Sequence, residues 1–195
     1  SAGDFTGPVR DFERFCAPPT AADWERELGR RLDLANLADF LLLLNLFQNR
    51  NGYPFEYLLH EALVYDAARG TLFHVPWDFE LTLHPAWSWE WLRSELMERL
   101  ERESPDYADR LAARWRELRT QGGLTPETLA ARVDAAAEPL RGYVEWDYRR
   151  WSYGPDMGWD GALADLKDRL RESVARMDER LERPFPAARE NAVAP

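Results

Sequence analysis

The sequence predicts a mainly α-helical body with one small β-hairpin. Apolar residues recur at three- and four-residue spacing through most of the chain, in stretches opened by Ser, Thr, Asp or Pro. Two short β-prone runs, residues 55–65 and 71–77, flank the Gly-bearing connection Asp66-Ala67-Ala68-Arg69-Gly70, which reads as a hairpin. One stretch, Leu34 to Phe47, is apolar on every face and is the natural centre of the body.

Each element follows from local signals. Residues 4–19 hold Pro8, Pro18 and Pro19 without a sustained period and are expected to form an extended arm or loop. Thr20, with Asp23 three residues on, suits a cap for a helix over Trp24, Leu28 and Leu32. Asp33 caps the next helix, in which Leu34, Leu37, Phe40, Leu41, Leu44 and Phe47 make one face while Leu42, Leu43 and Leu46 fill the others. Gln48 to Pro54 is a loop by its Asn-Gly and Pro signals, and the hairpin follows. Residues 87–101 read as a helix carrying Trp91, Leu92, Leu96 and Leu100. Ser104-Pro105-Asp106 opens a helix to Arg119, and Thr125-Pro126-Glu127 opens another to Ala137. Pro139 begins a further helix with Leu140, Tyr143, Val144, Trp146, Asp147 and Trp151, and residues 159–181 form a long amphipathic closing helix. The expected organisation is an arm over residues 1–19, one domain over 20–183 and a flexible tail over 184–195. The opening Ser1-Ala2-Gly3 has no initiating Met and no signal-peptide pattern, so the chain reads as a fragment.

Composition removes several classes of function. A formal charge of -10 is the wrong sign for neutralising phosphates, which argues against a nucleic-acid partner. No run approaches the roughly 20 apolar residues of a membrane span. A single cysteine, Cys16, excludes an internal disulfide and a cysteine-rich zinc site. Of the 25 basic residues only Lys167 is a lysine, so any lysine-dependent chemistry within the chain would have to use it. Its place on the closing helix makes it an ordinary solvated residue.

The segment His74-Val75-Pro76-Trp77-Asp78-Phe79-Glu80 carries the chemistry. A short β run ending in Pro-Trp-Asp is expected to hold Asp78 between the packed rings of Trp77 and Phe79, leaving its oxygens to find a cation or a donor. Taken alone, the pattern is better explained by Asp78 capping the next turn. His60, His74 and His84 lie around the hairpin, but they are better read as packing residues than as metal ligands, because no four-ligand zinc set is present. Trp87, Trp89 and Trp91 alternate at two-residue spacing and read as core, or else as a docking lip beside the acid.

The order of these pieces resembles the spore-coat protein H (CotH) kinase-like family. The likeness is carried by Asn49-Arg50, by Gly52-Tyr53-Pro54 and above all by Pro76-Trp77-Asp78-Phe79, with Arg114 to Arg119 and Asp147 to Trp151 similar to the family's helical tail. The resemblance implies the C-terminal, mostly helical lobe of an atypical protein-kinase-like fold. It also implies use of Mg²⁺ and ATP, with a protein substrate or partner. Asp78 and Glu80 would then hold the magnesium nucleotide, with Glu56 as a further metal ligand. Asn49, Arg50 and Asn51 would form the catalytic loop.

The chain departs from the family pattern at informative places. Asn51 stands where an Asp commonly takes or orients the substrate hydroxyl's proton, and an amide cannot act as that base. Phe55-Glu56 occupies the region of an Asn metal ligand, Glu80 replaces a second Asp, and His84 falls near a common Gly. The family's small lobe supplies a nucleotide cover and a lysine, neither of which stands before residue 20, so the segment alone is expected not to turn over substrate. Three readings remain: the lobe of an active protein kinase, a degenerate relative that binds nucleotide or a partner without catalysis, and a helical interaction module. The resemblance admits spore coat, cell surface or cytoplasm, and no residue chooses among them.

Overall fold

The chain opens with two short helices, α1 (Gly7–Cys16) and α2 (Trp24–Gly29), in a computed structural model that describes residues 7–16, 24–50, 62–79, 82–84, 86–151 and 158–182. Helix α1 corrects the expectation of an extended arm or loop. Phe12 and Cys16, four residues apart, are buried on one face, Val9 and Phe15 pack beside them, and Pro8 sits in the first turn, where its missing N–H leaves no hydrogen bond unmade. The prolines had hidden a short apolar stripe. The proposed Thr20 cap lies outside the described residues.

Helix α3 (Leu34–Phe47) takes the central place expected of it, burying Leu37, Phe40, Leu41, Leu42, Leu44, Asn45 and Leu46. The Asp33 carboxylate caps it by accepting from the N–H groups of Ala35 and Asn36 at 3.1 and 3.0 Å. Strands β1 (Ala62–Asp66) and β2 (Thr71–Val75) form the hairpin, antiparallel, in a register from Ala62 opposite Val75 to Asp66 opposite Thr71. Gly70 closes the turn at φ 71, and Asp66 accepts from the N–H groups of Ala68 and Gly70, through its side chain at 2.9 Å and its carbonyl at 2.8 Å. Leu32 bridges Leu72 in parallel, which fastens the hairpin to the start of α3.

Four helices follow a further one, α4 (Glu95–Glu103): α5 (Pro105–Thr120), α6 (Pro126–Ala137), α7 (Arg141–Trp151) and α8 (Gly158–Glu182), with a 3-10 turn over Glu138–Leu140 between α6 and α7. Thr125 caps α6, as the Thr-Pro-Glu signal suggested, and Thr128 completes a capping box with it. Helix α8 lays Leu170, Val174, Met177 and Leu181 into the core and packs on α3, α5 and α6. Trp115 and Arg119 of α5 both reach Asp178 of α8, the indole N–H at 2.8 Å and the guanidinium at 3.1 and 3.0 Å. Lys167 pairs with Asp134 at 2.8 Å, joining α8 to α6.

Residues 87–93 are not helical, against expectation; α4 begins only at Glu95, capped by Ser94. Here Ser88 and Glu90 are exposed while Trp87, Trp89 and Trp91 are half-buried, the two-residue alternation of an extended chain. Two carboxamides hold it open. Asn45 accepts from the Leu92 N–H at 2.6 Å and donates to the Leu92 carbonyl at 2.9 Å. Gln48 accepts from the Glu90 N–H at 3.0 Å and donates to the Glu90 carbonyl at 2.9 Å. Asn36 treats His74 of β2 in the same way, at 2.7 and 3.1 Å. An amide offers a donor and an acceptor side by side, so it stands in for a neighbouring strand's peptide group.

Replacing Asn45 by Ala would strand the buried Leu92 N–H and carbonyl together. The Asn45→Ala variant is therefore expected to lose about 2–4 kcal/mol of folding free energy in urea titration, with little change in the slope of the transition.

Candidate functional site

Pro76 to Phe79 leaves the end of β2 and crosses the C-terminal end of α3. Three non-glycine residues with left-handed backbones meet in this region: Gln48 at φ 48, Asp78 at φ 54 and Leu83 at φ 51. Gln48 ends α3, the Leu83 N–H donates to the Phe47 carbonyl at 2.9 Å, and the ring of Phe79 meets that of Phe47 edge-on at 6.3 Å. Such conformations are unfavourable for residues with a Cβ and persist only where neighbours impose them.

Asn49 lies beneath the turn and is wholly buried. Its amide nitrogen points at the carbonyls of Trp77 and Asp78, at 3.5 and 3.4 Å. Both contacts are long and individually weak, and together they aim the backbone that carries Asp78. The Asp78 side chain itself is exposed.

The expected packing of Asp78 between two rings is half right. Phe79 is anchored against Phe47, but Trp77 is 67% exposed and has no ring contact among the described residues. The left-handed backbone and Asn49, rather than a sandwich of aromatics, set the course of the backbone that carries Asp78.

Arg50 reaches the extended tryptophan segment. It donates to the Ser88 carbonyl at 2.6 Å, pairs with Glu90 at 3.2 Å and lies 5.1 Å from the Trp87 ring centre. Its work is to tie the loop after α3 to the extended tryptophan segment. Of the sequence-derived site residues, the structure thus brings Asn49 to Asp78 and ties Arg50 to Ser88 and Glu90, while Asn51, Glu56 and Glu80 lie outside the described residues. Gln48 and Asn45, which shape the same corner, were missed. The signal was present as carboxamides within a run of leucines, where an amide without a partner would be costly.

The histidines behave as packing residues. His74 stacks on Phe40 with ring centres 4.8 Å apart, and burial holds its pKa down to about 4. The His84 ring accepts from the Ala86 N–H at 3.2 Å and tilts against Trp87 at 5.0 Å. His60 lies outside the described residues. Burial pushes the Cys16 thiol up to about 11, which removes it as a nucleophile.

Among the described residues no group of three or more His, Cys, Asp or Glu side chains is placed to hold a metal ion. Mg²⁺ asks for less than such a cage, since it keeps several waters and is commonly bound by one or two carboxylates together with substrate phosphates. An exposed carboxylate on a constrained turn fits that second arrangement.

Comparison with protein-family models matches residues 8–177 to the CotH kinase protein family. The chain belongs to the CotH kinase family. The match takes in α1 through most of α8, and the helical body with its two-stranded antiparallel sheet is consistent with the helical lobe of a kinase-like fold. Neither the curated proteins nor the solved structures gave a match to this CotH-family chain.

Two measurements check this account of the region. Because neutral His74 is buried, the unfolded chain binds a proton below about pH 6.5 that the folded chain refuses until about pH 4. Stability is expected to fall by about 3 kcal/mol as pH drops through that interval, and His74→Phe should remove this component from the pH profile. Asn49→Ala is expected to cost about 1 kcal/mol globally, yet to raise amide exchange at Trp77 to Phe79 well above that at β2.

Proposed function

We propose that this chain is the C-terminal lobe of a CotH-type protein kinase whose intact parent transfers the γ-phosphoryl group of ATP to a serine or threonine hydroxyl of a protein substrate. Membership of the family supports a kinase-like function. The observation that carries the finer reading is the exposed Asp78 carboxylate, held on a left-handed turn above the buried Asn49. In the transfer, the substrate oxygen bonds to the γ-phosphorus as the bond from that phosphorus to the β–γ bridging oxygen breaks, ADP leaves, and the hydroxyl proton passes to a base. Bound Mg²⁺ would neutralise the phosphate charge that this displacement concentrates.

Within this scheme the protein's part is mainly placement. Asp78 is the described acid that would bear the metal, with Glu80 and Glu56 as the further ligands that the family likeness suggests. Asn49 serves as a positioning residue through the Trp77 and Asp78 carbonyls. Arg50 supports the loop from its far side.

A second reading, nucleotide binding without transfer, is favoured by Asn51. An amide in the position of the proton acceptor has no basicity to lend, so a chain with that residue can retain the metal-nucleotide site after losing the reaction.

The left-handed Asp78 backbone decides which variant to use. Ala would be strained at φ 54, whereas Asn tolerates that region and removes only the charge. Asp78→Asn in the full-length protein is expected to leave the melting temperature without nucleotide nearly unchanged. It should also lower ATP-dependent substrate phosphorylation by about 100-fold or more. Retained activity would remove Asp78 from the chemistry. Under the second reading, saturating Mg-ATP raises the melting temperature of the unmodified protein by mass action while no phosphate is transferred, and Asp78→Asn abolishes that rise.

A further inference from the structure

Helix α7 stands apart from the body that the other helices form. Among the described residues it buries none of its own side chains, although Val144 and Tyr148 turn partly inward. Leu140, just before it, and Tyr143, Trp146 and Trp151 along it are 51%, 72%, 62% and 65% exposed. Large apolar side chains concentrated on one short helix mark a surface that is covered by something else.

The charges on this helix indicate what covers it. Most are satisfied within the chain: Arg141 pairs with Glu138 and Asp160 at 3.5 and 2.8 Å, and Arg149 with Glu145 at 3.1 Å. Asp147 and Arg150 differ, having no ion-pair partner among the described residues. They are three residues apart and so share one face with Tyr143 and Trp146. The Arg150 guanidinium rests between two exposed rings, 5.7 Å from the centre of Trp146 and 5.3 Å from that of Trp151.

We propose that this face binds a second copy of the chain, α7 against α7, antiparallel about a two-fold axis passing between residues 148 and 149. In that register Asp147 of each copy faces Arg150 of the other, and Trp146 faces Trp151. A two-fold contact repeats every pair, so one acid and one base on a single face complete two ion pairs next to the axis, flanked on either side by the paired tryptophans. A nucleic acid or an anionic membrane would meet a chain of net charge -10 and gain little from a face whose signs are balanced. The overall charge also makes copies repel at low salt, so association should strengthen as salt rises to physiological strength. This inference does not depend on the chemistry at Asp78.

Sedimentation equilibrium on the 195-residue chain tests it at physiological salt, from about 1 to 100 µM, the range suited to a small contact. The mass is expected to rise from 22.7 kDa toward twice that value. The variants Asp147→Arg and Arg150→Asp, each with an unchanged far-UV spectrum, should each associate at least about tenfold more weakly when alone. Mixed together they should associate again, because one copy then presents two bases on this face and the other two acids. A chain that stays at monomer mass throughout overturns the proposal. So do single variants that associate like the parent, or a mixture that stays monomeric, as it would if the face served a partner of another kind.

Discussion

A row of carboxamides on and just after one leucine-rich helix holds this molecule together. Asn36, Asn45 and Gln48 each pair with both the N–H and the carbonyl of a residue far along the chain: His74, Leu92 and Glu90. The apolar surface of α3 supplies the drive to collapse, but it has no preference for which chain lies against it. The amides supply that preference, because an extended segment beside a helix has backbone groups that no helix backbone can satisfy. A two-stranded sheet and a stretch of open chain can then share a buried boundary with α3 without stranding polar groups.

The same device accounts for the combination of rigidity and exposure at Asp78. The chain approaching the turn is held through the Asn36 pairing with His74, and the chain leaving it is tied back where the Leu83 N–H meets the Phe47 carbonyl. Between these fastenings the backbone adopts a left-handed step that presents a carboxylate outward. Asn49 and Arg50, adjacent in the sequence, divide the support. One sits beneath the turn, and the other straps the loop to the tryptophan segment. Two adjacent side chains therefore fix the backbone at this corner from different sides.

Helix α7 follows the opposite logic. Its inward face is thin, its outward face carries aromatic rings, and the adjoining helices α6 and α8 are joined to each other by packing and by the Lys167–Asp134 pair. Surface ion pairs contribute little stability individually, so the many arginine–carboxylate contacts on the helices add little to what the core already fixes. The tryptophans on α7 are explained neither by such contacts nor by the core.

By itself the sequence determined the helical class, the position and cap of α3, the hairpin and its Gly70 turn, the later helices opened by Ser-Pro, Thr-Pro and Pro, and the family, through Pro76-Trp77-Asp78-Phe79. All of these are written in spacings of four residues or fewer, or in one contiguous motif, where each residue's preference is decided by near neighbours. Tertiary structure decided the rest. It made a helix of residues 7–16 by offering a core for Phe12 and Cys16, and kept residues 87–93 extended by offering them Asn45 and Gln48. It also left Trp77 exposed and tied Arg50 to Ser88 and Glu90. Those outcomes depend on packing and hydrogen-bond partners distant in the sequence, and no local pattern records which groups will meet.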